Sequence, residues 1–316
     1  MRLLALFLLA FGFIPAARAA EGGYRPWKIG LSFEADSLGI DLSPKIAESE
    51  KLTFRPSQSN YAGVILGYRW LAGTLAFAVP ASREIRDQEG QSKYTSTMVT
   101  YYVRNWGIEL GYNHYTGYLI ENSSRLSAAT LNGAQYYRLP EMQSTGYGLN
   151  FFYVLSPKGY SMPAAFDQSE PQNTTAGSFM LLTSIRHQYF RNDAGLIPAE
   201  KVATFGSDGS IKGAKTTNVG VGGGYGVLWD GPAAVFASAF FGLTFGINHL
   251  AYDLIATNEA RNTGQFNGHF RVSFGLNGGH GFLKASFLMD YFNYSTESIK
   301  IGNSDFAGSI AGGVRF

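Results

Sequence analysis

The sequence predicts a transmembrane antiparallel β-barrel of about twelve strands, and three observations carry that expectation. Segments that alternate apolar with small or polar residues recur along the chain, as in strands with one face in lipid and the other toward a polar interior. Beyond the amino terminus no run of 18 apolar residues follows, which excludes helical membrane spans. Charged residues make up only 15 % of the chain while aromatics also reach 15 %, with 39 Gly, 24 Phe and 19 Tyr, a mixture suited to an apolar exterior with aromatic belts. A soluble β-sandwich or barrel would alternate too, but its outside would then be Gly-rich and charge-poor, which is unusual for a soluble surface.

Residues 1–19 have the pattern of a secretory signal peptide: a positive start at Met1-Arg2, an apolar run from Leu3 to Ile14, and the small-x-small site Ala17-Arg18-Ala19. The apolar run falls short of the roughly 20 residues a retained spanning helix would need. The expected barrel is therefore 20–316. Loss of Arg2 and Arg18 takes the formal charge from +2 to 0, so no concentrated basic surface points to nucleic acid. No Pro/Ser-rich linker or charge block divides the chain, and the absence of Cys excludes disulfides and thiolate metal sites.

In chain order, Trp27, Ile29, Leu31 and Phe33 share a face, after which Leu38, Ile40 and Leu42 continue on the opposite parity. A bulge would keep this as one strand and a tight hairpin would make it two, which leaves ten or fourteen strands open beside twelve. Further alternating segments are expected at 61–70, 74–79, 97–106, 108–115, 145–155, 178–190, 218–229, 235–248, 266–277 and 282–294. The last strand covers 306–316, with Phe306, Gly308, Ile310, Gly312, Val314 and Phe316 on one face and Arg315 on the other. Gly222-Gly223-Gly224 reads as a small-residue track on the inner wall, since no helix follows it to make a phosphate cradle.

Ending on Phe316 resembles the terminal strand by which outer-membrane barrels are recognised by their assembly machinery. That machinery and outer-membrane lipids are the partners it implies. Counting back from a periplasmic Phe316 puts short turns at 71–73, 105–107, 230–232 and 278–281 on the periplasmic side. Longer loops at 43–58, 82–93, 117–143, 191–212 and 296–304 fall outside, the arrangement of such barrels. Residues 157–176 break the rule, being long yet periplasmic. Irregular backbone cannot face lipid but can line or plug a lumen, so this segment is expected to fold into the mouth, the alternative being an ordinary solvated periplasmic loop. There Asp167 or Glu170 would pair with Arg69, Arg104 or Arg186.

Two stretches resemble one family. The first is Phe54-Arg55-Pro56-Ser57 with Asn60 and Gly67-Tyr68-Arg69-Trp70-Leu71. The second runs through Phe152-Tyr153-Val154, Tyr160-Ser161, Ala164-Ala165-Phe166, Gln168-Ser169-Glu170 and Ala176-Gly177-Ser178-Phe179. They are similar to an outer-membrane barrel family catalogued as domain of unknown function four-four-two-one, with departures at Met162 and Pro171. The resemblance implies the location and brings no mechanism.

No catalytic or metal constellation emerges. None of His114, His187, His249, His269 and His280 begins a His-x-Ser, and Ser184 and His187 differ in parity, so a lipid-hydrolase reading lacks its Ser–His pair. No His or carboxylate pairs stand at ligand spacing, and no cofactor is implied. The inner wall is expected to carry Arg69, Arg104, Arg186, Arg271, Lys284 and Arg315 against Glu109 and Asp290, with His269 beside them. That one-signed set suggests a small-solute channel with an anion-leaning lumen. The alternative is a closed structural or surface-interaction barrel whose interior is packed.

Overall fold

In the computed structural model, which describes residues 25–57, 60–170, 174–254 and 258–316, thirteen strands form one antiparallel sheet closed on itself. The expected signal peptide, residues 1–19, lies outside the described residues. The strands are β1 (Trp27–Pro44), β2 (Leu52–Pro56), β3 (Asn60–Tyr68), β4 (Leu71–Ala78), β5 (Lys93–Tyr102), β6 (Trp106–Ile120), β7 (Tyr137–Val154), β8 (Ala176–Arg191), β9 (Ile211–Asp230), β10 (Val235–Leu254), β11 (Asn258–Asn277), β12 (Gly281–Ser295) and β13 (Ile299–Arg315). Twelve follow one another round the ring, which β13 closes on β1 from Lys28↔Arg315 to Pro44↔Ile299. The thirteenth, β2, lies between the far ends of β1 and β6 through Ile40↔Phe54 and Phe54↔Ile120, beyond the short strands β3 to β5.

Closure pairs the edges, so the backbone needs nothing from lipid. The outside is apolar: Leu31, Phe179, Val221, Phe245, Phe266 and Phe274 are all exposed. At the end with short turns Trp27 packs on Tyr68 at 4.7 Å, and Trp27 and Phe316 exchange both backbone hydrogen bonds, at 3.0 and 3.1 Å. The alternation of the terminal strand holds, with Phe316 exposed and Arg315 buried.

The parity change in β1 has a different cause from the expected bulge. Its register against β13 runs unbroken from Lys28 to Pro44. Leu38, Ile40 and Leu42 stay on the inner face and are buried at 2 %, 1 % and 0 % exposure because the strand has left the apolar band. Beyond that band water lies outside, so the apolar side chains turn inward. Several strands extend in the same way past their expected limits: β6 and β7 enter the 117–143 loop, β11 begins at Asn258 and β13 at Ile299. Between β6 and β7 the register shifts at Gly117 (φ +91°), where a Cβ would meet the Gln91 carbonyl oxygen at 2.3 Å.

The inward apolar residues of these extensions make a core at the loop end. Phe54, Tyr118, Phe190, Leu250 and Ile301 join Leu126, Leu196, Ile197 and Phe205 from the connecting loops. A buried carboxylate ties this cap down. Asp208 accepts from Thr296 Oγ1 at 2.6 Å, Ser298 N at 2.7 Å and Ser298 Oγ at 2.9 Å. Burial works against its charge, but these hydrogen bonds prevail and hold Asp208 below the usual aspartate range.

Candidate functional site

Inside the apolar band the two walls are bridged. Glu109 on β6 and Arg271 on β11 stand five strands apart in the ring of twelve, and their side chains meet across the lumen. Arg271 donates from both terminal nitrogens, one bond being 2.6 Å to Oε2, while Asn150 Nδ2 donates to the same oxygen at 3.0 Å and the Tyr102 hydroxyl to the other. A second bridge joins Arg186 on β8 to Asp290 on β12, and Asp290 also holds His269 Nδ1 at 2.9 Å. A third joins Gln188 on β8 to Asn303 on β13.

Beside the bridges is a chamber of about 320 Å³ with a mixed lining, among others Glu34, Met98, Asn113, Asn218, Lys284 and Asp305. Gly111, Gly146 and Gly148 leave backbone as part of its wall.

The short-turn end is filled by the segment after β7. Pro163–Asp167 forms one helical turn that ends at Gln168 (φ +53°). Phe166 sits against Tyr102, Phe152 and Phe240 at ring-centre distances of 5.7, 5.8 and 5.8 Å. The carbonyl oxygens of this turn accept from the barrel wall: Ala165 from Ser238 at 3.0 Å, Phe166 from Lys284 at 3.0 Å, Asp167 from Lys28 at 2.7 Å, and Gln168 from Arg315. Cations on the last carbonyls of a helical turn complement its dipole. Tyr160, beneath it, is buried and its phenol is pushed up, so it stays neutral.

The Gly-rich inner face of β9 gives this segment room. A Cβ at Gly226 would lie 2.4 Å from Met180 Cε and 2.6 Å from the Tyr160 hydroxyl.

Of the side chains expected to line the lumen, Glu109, Arg186, His269, Arg271, Lys284, Asp290 and Arg315 face inward. Arg69 and Arg104 do not. Arg69 (φ +55°) is exposed in the β3–β4 turn, near the rings of Tyr68 and Trp70, and Arg104 is exposed in the β5–β6 turn, where Nε donates to the Pro157 carbonyl at 3.1 Å. Alternation fixes a side only while the chain is a strand, and both lie past strand ends. Asp167 pairs with Lys28 at 3.6 Å rather than with any of the three expected arginines. Glu170 instead accepts from Ser161 Oγ at 2.5 Å.

Lys28, Glu34 and Asp305 also face inward; strand parity alone was enough to find the first two, while Asp305 lies just before the expected start of the last strand. With them, Lys28, Arg186, Arg271, Lys284 and Arg315 stand against Glu34, Glu109, Asp167, Asp290 and Asp305. Among the described residues the interior, with Asp167 supplied by the plugging turn, is balanced in charge and not one-signed as the sequence reading expected. The arrangement nearest a hydrolytic relay is Thr244–His269–Asp290, with Thr244 Oγ1 3.4 Å from His269 Nε2, but Thr244 and His269 are buried at 1 % and 2 % exposure and Asn267 also binds Thr244.

The model of the family described as Domain of unknown function (DUF4421) matches residues 26–316. No curated protein matches the chain. Among solved structures, the outer membrane protease OmpT from Escherichia coli is similar at 9 % identity and a TM-score of 0.42, covering 94 % of this chain and 99 % of its own. The β domain of the Bordetella autotransporter BrkA gives 11 % identity and 0.38, covering 91 % and 99 %. An outer membrane channel from Pseudomonas putida F1 gives 13 % and 0.32, covering 95 % and 100 %.

Proposed function

Since the chain belongs to this family of unknown function, we propose from its geometry that it is a closed outer-membrane barrel that acts at its surfaces and not as an open pore. The short turns, the start of β1 and the end of β13 face the periplasm, and the capped end faces outward. The observation that carries this reading is the pair of bridges Glu109–Arg271 and Arg186–Asp290, which join opposite walls between two filled ends. Paired charges leave little net field for drawing ions through. The Thr244–His269–Asp290 chain braces the wall and carries no reaction.

A second reading, a gated small-solute channel, is favoured by the chamber and by an inner closure that rests on hydrogen bonds to a single segment. Planar-bilayer conductance of the purified full chain, compared with a variant whose residues 157–176 are reduced to a four-residue turn, tests both. The closed reading expects silence from the full chain. The shortened variant loses Asp167 and with it the charge balance, so any current it carries leans weakly toward anions. Sustained conductance from the full chain overturns the closed reading, and brief discrete openings favour the gated one.

A further inference from the structure

On the lipid-facing side of β6 to β10 the apolar band ends along a single row. Leu110, Leu149, Ile185, Val219 and Ile247 are successive cross-strand partners, and Ile185, Val219 and Ile247 are exposed. The next outward row toward the loop end is Tyr112, Tyr147, His187, Thr217, His249 and Asn262, again each paired with the next. One row further lie His114, Thr145, Tyr189 and Lys215.

Each histidine here is fixed by a neighbour. His187 Nδ1 is 2.9 Å from Thr217 Oγ1, His249 Nδ1 is 2.7 Å from Asn262 Oδ1, and His114 Nδ1 is 2.9 Å from Thr145 Oγ1. His114 Nε2 also has Thr116 at 3.3 Å. In His187 and His249 Nε2 has no partner among the described residues, and the exposed Lys215 likewise has none. Lys215 is two residues from Thr217 on β9, which lies between the two histidines, so it is the diagonal neighbour of both on the same face. The two histidines are separated by two strand spacings, about 10 Å. Unpartnered nitrogens from three adjacent strands thus surround one patch, directly beside an exposed apolar surface.

We propose that His187, Lys215 and His249 seat the phosphate of an outer-leaflet lipid, with its acyl chains along Ile185, Val219 and Ile247. Lys215 donates from Nζ, His187 donates from Nε2 as the neutral ring with Nδ1 accepting from the Thr217 hydroxyl, and His249, whose Nδ1 must donate to Asn262 Oδ1, donates from Nε2 as an imidazolium, so all three suit a phosphate oxygen. A free phosphate would use only the upper half of this surface. An amphiphile uses both halves, which selects the lipid. The inference rests on the outer-membrane reading above and deepens it by naming a surface partner.

The test is native mass spectrometry of the delipidated full chain with phosphatidic acid, against phosphatidylcholine with the same acyl chains. Phosphatidic acid is expected to stay bound in preference, and H187Q/K215Q/H249Q to lower its retention by about fivefold or more, the scale of a single lost surface cation–phosphate contact. Heat-modified gel mobility checks that each variant assembles, and K215Q alone, expected to lose about fivefold, serves if the triple variant does not. Equal retention of phosphatidylcholine, unchanged retention by the assembled variants, or displacement by inorganic phosphate alone would overturn the proposal. Failure of the outer-membrane reading is distinguishable: the chain would then show no heat-modified mobility and come from the soluble periplasmic fraction.

Discussion

Replacing Glu109 by Gln keeps the shape of the first lumen bridge and removes its charge. Glu109 is 3 % exposed, and it accepts from Arg271, Tyr102 and Asn150. The substitution leaves the Arg271 guanidinium without its hydrogen-bonded anion in a site where its side chain is only 14 % exposed. Breaking a buried pair from one side costs about 3–5 kcal/mol, and the loss of an acceptor for Tyr102 or Asn150 overlaps with that cost rather than adding to it. Removing both partners, as in E109L/R271M, leaves no orphan charge and is expected to fall within about 2 kcal/mol of the parent. Equilibrium urea unfolding in lipid vesicles, followed by tryptophan fluorescence, of the parent, E109L, R271M and E109L/R271M gives the four corners of the cycle, with E109Q measured beside them. If E109Q costs under about 1 kcal/mol, or the single effects simply add in the double variant, the bridge is not a coupled element and the reasoning fails.

The cap should answer to acid. Because the folded-state pKa of Asp208 lies below the ordinary aspartate value near 3.9, its contribution is complete above that value and is lost as pH falls through the lower folded one. Pepsin cleavage within 199–210 should therefore be clearly faster in D208N than in the parent at pH 4, with the difference closing toward pH 2 as the parent's Asp208 is protonated. Gly226→Val should loosen the inner closure, because the added side chain meets the Tyr160 hydroxyl and Met180 Cε, flexible ends that can yield. Protease added on the short-turn side of reconstituted vesicles should then cut within 157–170, sites the parent protects. Equal protection would mean that β9 does not set the fit.

The apolar band was legible because a strand in lipid shows alternation in its plainest form, and Phe270, Val272 and Phe274 against His269, Arg271 and Ser273 reveal side, strand and inner charge at once. The outer extensions were not legible as strands. Their environment reverses where they leave lipid, so Leu38, Ile40 and Leu42 looked like a slip in register when the strand was straight. The inner closure could be anticipated from a long irregular segment where a short turn belongs, but its partner could not. Three-dimensional proximity across the ring set Lys28 beside Asp167, 139 residues apart, and no local pattern encodes that. The bridges across the lumen were hidden for the same reason: parity places Glu109 and Arg271 on the inner face without saying that opposite walls come close enough to join.

The chain has no cysteine, so a single introduced thiol reports on the chamber without background. Met98 projects into that chamber from β5, opposite Thr74 and Gly111 on its neighbouring strands. In vesicles, M98C should resist a negatively charged, water-soluble thiosulfonate added from either side, and should become reactive once 157–176 is shortened to four residues. Rapid labelling of M98C in the otherwise intact barrel would contradict a lumen closed at both ends.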